Sequence, residues 1–222
     1  NNRYSNCYKS GSIDILNVMK PYTISKTQKE AGFDVEIKEH VLEVDMDEQT
    51  MKLIKRLRRD RVIMGSKEVV LADTGIKLMS KIHQMCSGTV KFESGKAMTL
   101  NTKKADFIFD YFKGKKIAIF YKFKQELKAL QQVFGDSLCT ELEDFNGTEK
   151  HIALQIVSGR EGITLREADV LVYYNIDFSA TSYWQSRDRM TTKTRLKNDV
   201  YWIFSKGGIE KKIYKAVQKK RD

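Results

Sequence analysis

Gln155-Ile-Val-Ser-Gly-Arg-Glu-Gly-Ile-Thr-Leu165 leads into Ala168-Asp-Val-Leu-Val-Tyr-Tyr-Asn-Ile-Asp177 and then Tyr183-Trp-Gln-Ser-Arg-Asp-Arg189, and this stretch decides how the chain reads. An apolar strand gives way to a turn with Gly159 and Gly162, then to a second apolar strand, and then to a polar helix expected over 180–190. Glycines beside a strand end let backbone N–H groups come close to a phosphate. Gln185 and Arg189 are four residues apart, so on a helix they share a face. A hydrogen-bonding amide beside a permanent cation suits a polyphosphate held at a domain edge. The stretch therefore reads as half of a nucleotide-driven motor.

On either side the same alternation continues. Strands expected at 116–121, 151–157, 169–174 and 200–204 are nearly unbroken apolar runs. Helical spacing lies between and around them, at Ala105, Ile108, Phe109 and Phe112, at Leu127, Leu130 and Phe134, and over 208–220. A short strand is expected near Leu138, followed by a polar link at 141–150 with room for a helical turn. Apolar strands alternating with helices predict an α/β fold, a parallel sheet covered by helices on both faces.

The first hundred residues read differently. A short helix at 12–19 stops at Pro21, and Val35, Ile37 and Val44 mark a strand over 34–46. Asp47 is positioned to cap a helix with Met51, Ile54 and Leu57 on one face and Lys52, Lys55, Arg56, Arg58 and Arg59 on the others. Such a charge run is a solvated face or a phosphate contact. A further helix from Asp73 turns Ile76, Met79, Ile82 and Cys86 inward and ends near Gly88. His83 on this helix reads as a packing or surface residue. Glu93-Ser94-Gly95-Lys96 joins two short strands into a hairpin. The expected organisation is a leading helical and β-hairpin subregion, 1–102, packing on a main domain, 103–222.

Charge adds a partner class. Lys and Arg number 40 against 29 Asp and Glu, a formal charge of +11 with a pI near 9.4, which favours a polyanion, with nucleic acid ahead of an anionic membrane. No apolar run approaches the ~20 residues of a membrane span, so no membrane partner is expected. Cys7, Cys86 and Cys139 show no paired spacing, which argues against a disulfide framework or a zinc site and for an intracellular setting. His40, His83 and His151 are scattered and form no catalytic cluster.

The order of these elements resembles the C-terminal, RecA-like motor half of superfamily 2 helicases. Among these it is most similar to the SWI/SNF-like branch of duplex-DNA translocases, in the compact form carried by bacteriophages. Met19-Lys-Pro-Tyr-Thr-Ile-Ser-Lys-Thr27 resembles the segment entering that half, and Lys116–Phe123 resembles motif IV. Residues 158–165 are similar to motif V and 183–189 to motif VI. The resemblance implies that Gly159, Gly162 and Thr164 shape the loop between nucleotide cleft and DNA groove, and that Gln185 and Arg189 face ATP. Where the family has a second motif VI arginine, this chain has Thr192. Lys193, Arg195 or Arg187 are the alternative cations, or Arg189 serves alone. Lys122, Lys124 and Arg160 are candidate phosphate-backbone contacts.

No Gly-x-x-x-x-Gly-Lys-Ser/Thr loop and no motif II acidic pair is found in the sequence. ATP and Mg²⁺ are therefore expected to bind mainly to an N-terminal RecA-like lobe of the same protein. The sequence opens at Asn1 without an initiator methionine and reads as a piece inactive by itself. The expected function is the second lobe of an ATP-dependent DNA helicase or translocase, in the cytoplasm or, if phage-encoded, the host cytoplasm. The alternative is a non-catalytic nucleic-acid-binding or docking module of the same fold, which Thr192 favours. From residue pattern alone, Gly159 and Gly162 are also ordinary turn glycines, and Arg187 and Arg189 also surface partners of Asp188 or Glu161.

Overall fold

The computed structural model describes residues 36–156, 163–179, 188–191 and 197–219. The expected helix at 12–19 and most of that at 180–190 lie outside them. In chain order the first elements are β1 (Glu36–Val44), α1 (Glu48–Asp60), β2 (Val62–Met64), β3 (Val69–Leu71), α2 (Gly75–Cys86), β4 (Thr89–Lys91) and β5 (Ala97–Thr99). Then come α3 (Lys103–Tyr111), β6 (Ile117–Tyr121), α4 (Lys124–Phe134), β7 (Leu138–Cys139), α5 (Leu142–Phe145), β8 (His151–Gln155), β9 (Val170–Tyr173), β10 (Lys197–Ser205) and α6 (Glu210–Gln218).

Six strands form one sheet in the order β1-β10-β9-β6-β8-β7, and every neighbouring pair is parallel. Side chains alternate across it, as a period of two demands. Ile117, Ile119 and Tyr121 of β6 pack with Val170 and Val172 of β9 beneath Ala105 and Ile108 of α3 and Leu130 and Phe134 of α4. Ala118 and Phe120 face the other way, with Leu171, Tyr173 and Trp202, towards Ile213 and Val217 of α6 and Phe145 of α5. Covering both faces leaves no polar side to the inner strands, which is why they read as unbroken apolar runs. Trp202 stacks on Tyr173 at 3.9 Å between ring centroids, and Tyr173 on Phe120 at 5.1 Å. This aromatic column contributes about 0.5–1.5 kcal/mol per pair beyond its burial.

Residues 48–100 hold a small core of their own, with Ile54 and Leu57 of α1 against Val70, Ala72, Ile82, Met85, Cys86 and Val90. Asp47 caps α1 as expected. It accepts the Thr50 N–H at 2.9 Å, and that bond holds its carboxyl below the usual range. Three details differ from expectation. Ile76 and Met79 are 85% and 51% exposed rather than inward, because the first turn of α2 projects beyond the small core and only its second half packs. The β2–β3 hairpin had no sequence signal, since three-residue strands are too short to show a period. β1 falls in the range read as the leading subregion, yet all nine of its residues pair with β10 in the main sheet. Gly88 closes α2 at φ +78°, where a Cβ would stand 2.5 Å from the Asn101 carbonyl oxygen, so a side chain there meets both strain and a clash.

Candidate functional site at the C-terminal edge of the sheet

Parallel strands carry all their C-terminal ends to one edge, the edge where open α/β sheets bind ligands. After β6 the chain turns at Lys122–Phe123 into α4. Glu126 seals that turn by accepting the N–H groups of Lys122 and Phe123 at 2.7 and 3.0 Å. Its other oxygen takes the amide N–H of Asn175, just past β9, at 2.5 Å. The Asn175 carbonyl oxygen accepts the Ile176 N–H at 2.8 Å and meets His83 Nε2 of α2 at 2.6 Å. All three side chains are buried. Because Asn175 presents an oxygen, His83 must carry its proton on Nε2 and donate. Burial pushes His83 down to about 4 and raises the Glu126 carboxyl.

A second tie runs beside the first. Lys104 of α3 donates to Glu210 Oε1 at 2.9 Å and to the Tyr174 carbonyl at 3.1 Å, and the Ser205 N–H reaches the same carboxylate at 3.2 Å. Burial opposes ionisation of Glu210, but Lys104 beside it holds the carboxyl below its usual value. Tyr174 Oη donates to the Ser87 carbonyl at 3.1 Å, and Ser205 Oγ to that of Cys86. The end of α2 is thus bolted to the ends of β9 and β10.

Lys122 lies at the end of β6 with its ammonium on Asp177 at 2.5 Å. Lys124 opens α4 and is exposed. Both line a groove of about 350 Å³ between the sheet edge and the β4–β5 hairpin. Gln155, the last residue of β8, donates to the Lys122 carbonyl at 3.0 Å, so the chain leaves for the glycine turn from the wall of this groove.

The structure brings Arg189 and the Thr164 segment together. Arg189 sits in a single 3₁₀ turn, Asp188–Met190. Its Nη1 donates to the Ile163 carbonyl at 3.2 Å, while its own carbonyl accepts the Leu165 N–H at 2.9 Å. Met190 beside Arg189, and Leu165, are fully buried in the main core, which fixes the turn, whereas Thr164, next to Leu165, is exposed. Gly159, Arg160, Gly162, Gln185, Arg187 and Lys193 lie outside the described residues, as do Thr192 and Arg195. Among the described residues no cluster of His, Cys, Asp and Glu is arranged to hold a metal ion, and no helix is long and apolar enough to cross a membrane.

Sequence reasoning passed over Glu126, Asn175, Lys104 and Glu210, and it read His83 as a packing or surface residue, of which the structure shows the first. Glu126 carried a usable signal, an acid at the third helical position after a strand, as in a capping box. The Lys104–Glu210 pair carried none, since 106 residues separate its members.

Solved structures share this arrangement. The C-terminal part of the Fun30 ATPase domain matches with a TM-score of 0.59 at 14% identity, over 82% of this chain and 90% of that one. The Sulfolobus solfataricus SWI2/SNF2 ATPase core domain matches at 0.57 and 17% identity, over 95% of this chain and 49% of that one. The same core in complex with dsDNA matches at 0.54 and 17% identity, over 94% and 50%. The chain spans about half the length of the two Sulfolobus cores. No family model matches it, and no curated protein matches it by sequence. The likeness establishes the fold: a RecA-like α/β domain, a six-stranded parallel sheet between two layers of helices.

Proposed function

We propose that this chain is the C-terminal motor lobe of an ATP-dependent DNA helicase or translocase of the SWI/SNF-like branch. The observation that carries the reading is the double tie between Arg189 and residues 163–165, which joins the motif VI cation to the end of the motif V turn. The Fun30 fragment that this chain covers almost completely is the C-terminal part of an ATPase domain, and one Sulfolobus core was solved on dsDNA. Both support the assignment to a second lobe acting on duplex DNA.

The residues present suit a triphosphate bound mainly by another lobe. The chain offers cations and glycines, but neither a Gly-x-x-x-x-Gly-Lys-Ser/Thr loop nor a motif II acidic pair. ATP would supply the γ-phosphoryl group transferred to water. Arg189 is the described candidate for stabilising the charge that develops on that group, a role worth about 10³–10⁵ in rate in other phosphoryl-transfer systems. Gln185 would orient the nucleotide, and Gly159, Gly162 and Thr164 would link cleft to groove. Arg187 and Lys193 stand as further nucleotide contacts, and Arg160 as a contact to the DNA backbone. The partner would be an N-terminal RecA-like lobe carrying ATP and Mg²⁺.

The test is DNA-stimulated ATP hydrolysis by this chain joined to such a lobe. Arg189→Ala should lower turnover at least about 10³-fold while DNA binding persists; normal turnover in that variant removes the role of Arg189. Thr192 in place of a second arginine favours one other reading, a nucleic-acid-binding module without ATPase activity. Absent turnover in the wild-type assembly, with DNA binding intact, would select it.

A further inference from the structure

Met79, exposed near the start of α2, lines an apolar trough of about 390 Å³. Two helices supply its walls with the same spacing. From α2 come Gly75, Leu78, Met79 and Ile82; from α6 and the residue before it come Ile209, Lys212, Ile213 and Ala216. Each set follows i, i+3, i+4, i+7, which is one face of a helix. Ile82 and Ile213 are buried, whereas Met79, Ala216 and Phe178 beside them are exposed, so an apolar floor lies open to solvent. Phe178 is held edge-on against His83, with ring centroids 5.7 Å apart. A Cβ at Gly75 would meet nothing within 4 Å, which leaves that wall open.

The rim carries one sign of charge. Lys212 lines the trough, and Lys215 and Lys219 follow it at i+3 and i+7 along the solvent side of α6. All three are exposed, and among the described residues their ammonium groups have no acidic partner. Their neighbours Lys211 and Lys77 are instead spent on Glu43 and Asp73, each at 3.0 Å. No carboxylate lines the trough.

An apolar floor does not serve a phosphate backbone, which is held by cations and hydrogen-bond donors. A lysine rim does not suit a second copy of this chain, because two surfaces of formal charge +11 repel. The complement is an amphipathic helix whose apolar face is flanked by Asp and Glu. We propose that the trough between α2 and α6 docks such a helix from a partner protein, with its apolar side chains on Met79, Phe178 and the floor and its acidic flank along Lys212, Lys215 and Lys219. Walls already formed spare the complex part of its ordering cost. None of these residues has a role in the proposed motor site, so the docking site does not depend on that reading.

The experiment titrates the 222-residue chain into a fluorescein-labelled synthetic helix with Leu at i, i+3, i+4 and i+7 and Glu on the flanks, read by anisotropy. A second helix carries Lys in place of every Glu. The wild-type chain should prefer the Glu helix, with affinity falling as salt rises. Ile76→Ser/Met79→Ser should lower that affinity about tenfold or more, as loss of interface anchors does. Lys212→Glu/Lys219→Glu should invert the preference towards the Lys helix, whereas Lys113→Glu/Lys115→Glu, the same charge change in the turn before β6, should keep it. A gain of binding by the Lys helix cannot come from an unfolded variant, and circular dichroism melts check the serine variant.

Equal affinity of the wild-type chain for both helices would reduce the trough to a sticky surface and overturn the proposal. No binding of either helix, or wild-type affinity in the serine variant, would overturn it as well. Tighter binding of a DNA duplex, or of phosphatidylserine–phosphatidylcholine vesicles, lost in Lys212→Glu/Lys219→Glu, would give the lysines to nucleic acid or to a membrane instead.

Discussion

Lys104 and Lys91 both lie beside the C-terminal edge of the sheet, yet their circumstances are opposite. Lys104 is 3% exposed and held between Glu210 and the Tyr174 carbonyl. Lys91 is exposed and lines the same groove as Lys124, with no acidic partner among the described residues. A buried cation survives only beside an anion, because desolvation costs several kcal/mol per ion. An exposed one keeps its hydration and its charge for whatever arrives. The same residue type is therefore a bolt in one place and a solvated surface charge in the other, and burial decides which.

The comparison breaks first at Lys104. Lys104→Ala strands the Glu210 carboxylate in the core and should cost about 3–5 kcal/mol, read as a lowered urea midpoint. Lys104→Met with Glu210→Gln removes both charges and should recover much of that loss. A single variant as stable as wild type would mean that the pair is not the bolt the geometry describes.

Acid tests the neighbouring tie. His83 is pushed down to about 4 from an ordinary 6.5, so the unfolded chain binds its proton first. The contribution is complete above pH 6.5 and is lost as pH falls towards 4, amounting to about 3 kcal/mol. Glu126, raised by burial, acts with the opposite sign, its stabilisation being lost as pH rises through its folded value. His83→Gln can keep a donor to Asn175 but cannot titrate. Its unfolding midpoint should therefore fall less than that of wild type over the same window, and parallel curves would show that His83 is not buried neutral.

The smallest effect sharpens the contrast. Lys91→Ala should leave stability within about 0.5 kcal/mol of wild type, as surface substitutions away from networks usually do. A loss as large as that at Lys104 would make Lys91 structural and erase the distinction.

The alternation of strands and helices from Ile117 to Phe204 was legible because each strand is buried on both faces and each helix has its own period. The inward direction assigned to Ile76 and Met79 failed because spacing marks a face but not where the neighbouring core ends. Arg189 was legible as a cation beside a glycine turn, but its bond to the Ile163 carbonyl depends on where two separate segments meet. Gln185, Gly159 and the other motif residues outside the described parts stand on their resemblance.

What the sequence determined by itself was local and periodic: apolar runs that must be covered, the Asp47 cap, and an excess of positive charge. Only the tertiary structure decided that β1 joins the main sheet, that Lys104 meets Glu210, and that Lys91 and Lys124 line one groove. Hydrophobic pattern and capping act over a few residues and leave a trace in composition and spacing. Ion pairs and grooves join side chains far apart in the chain, and their energies exist only once burial has set the surroundings of each charge.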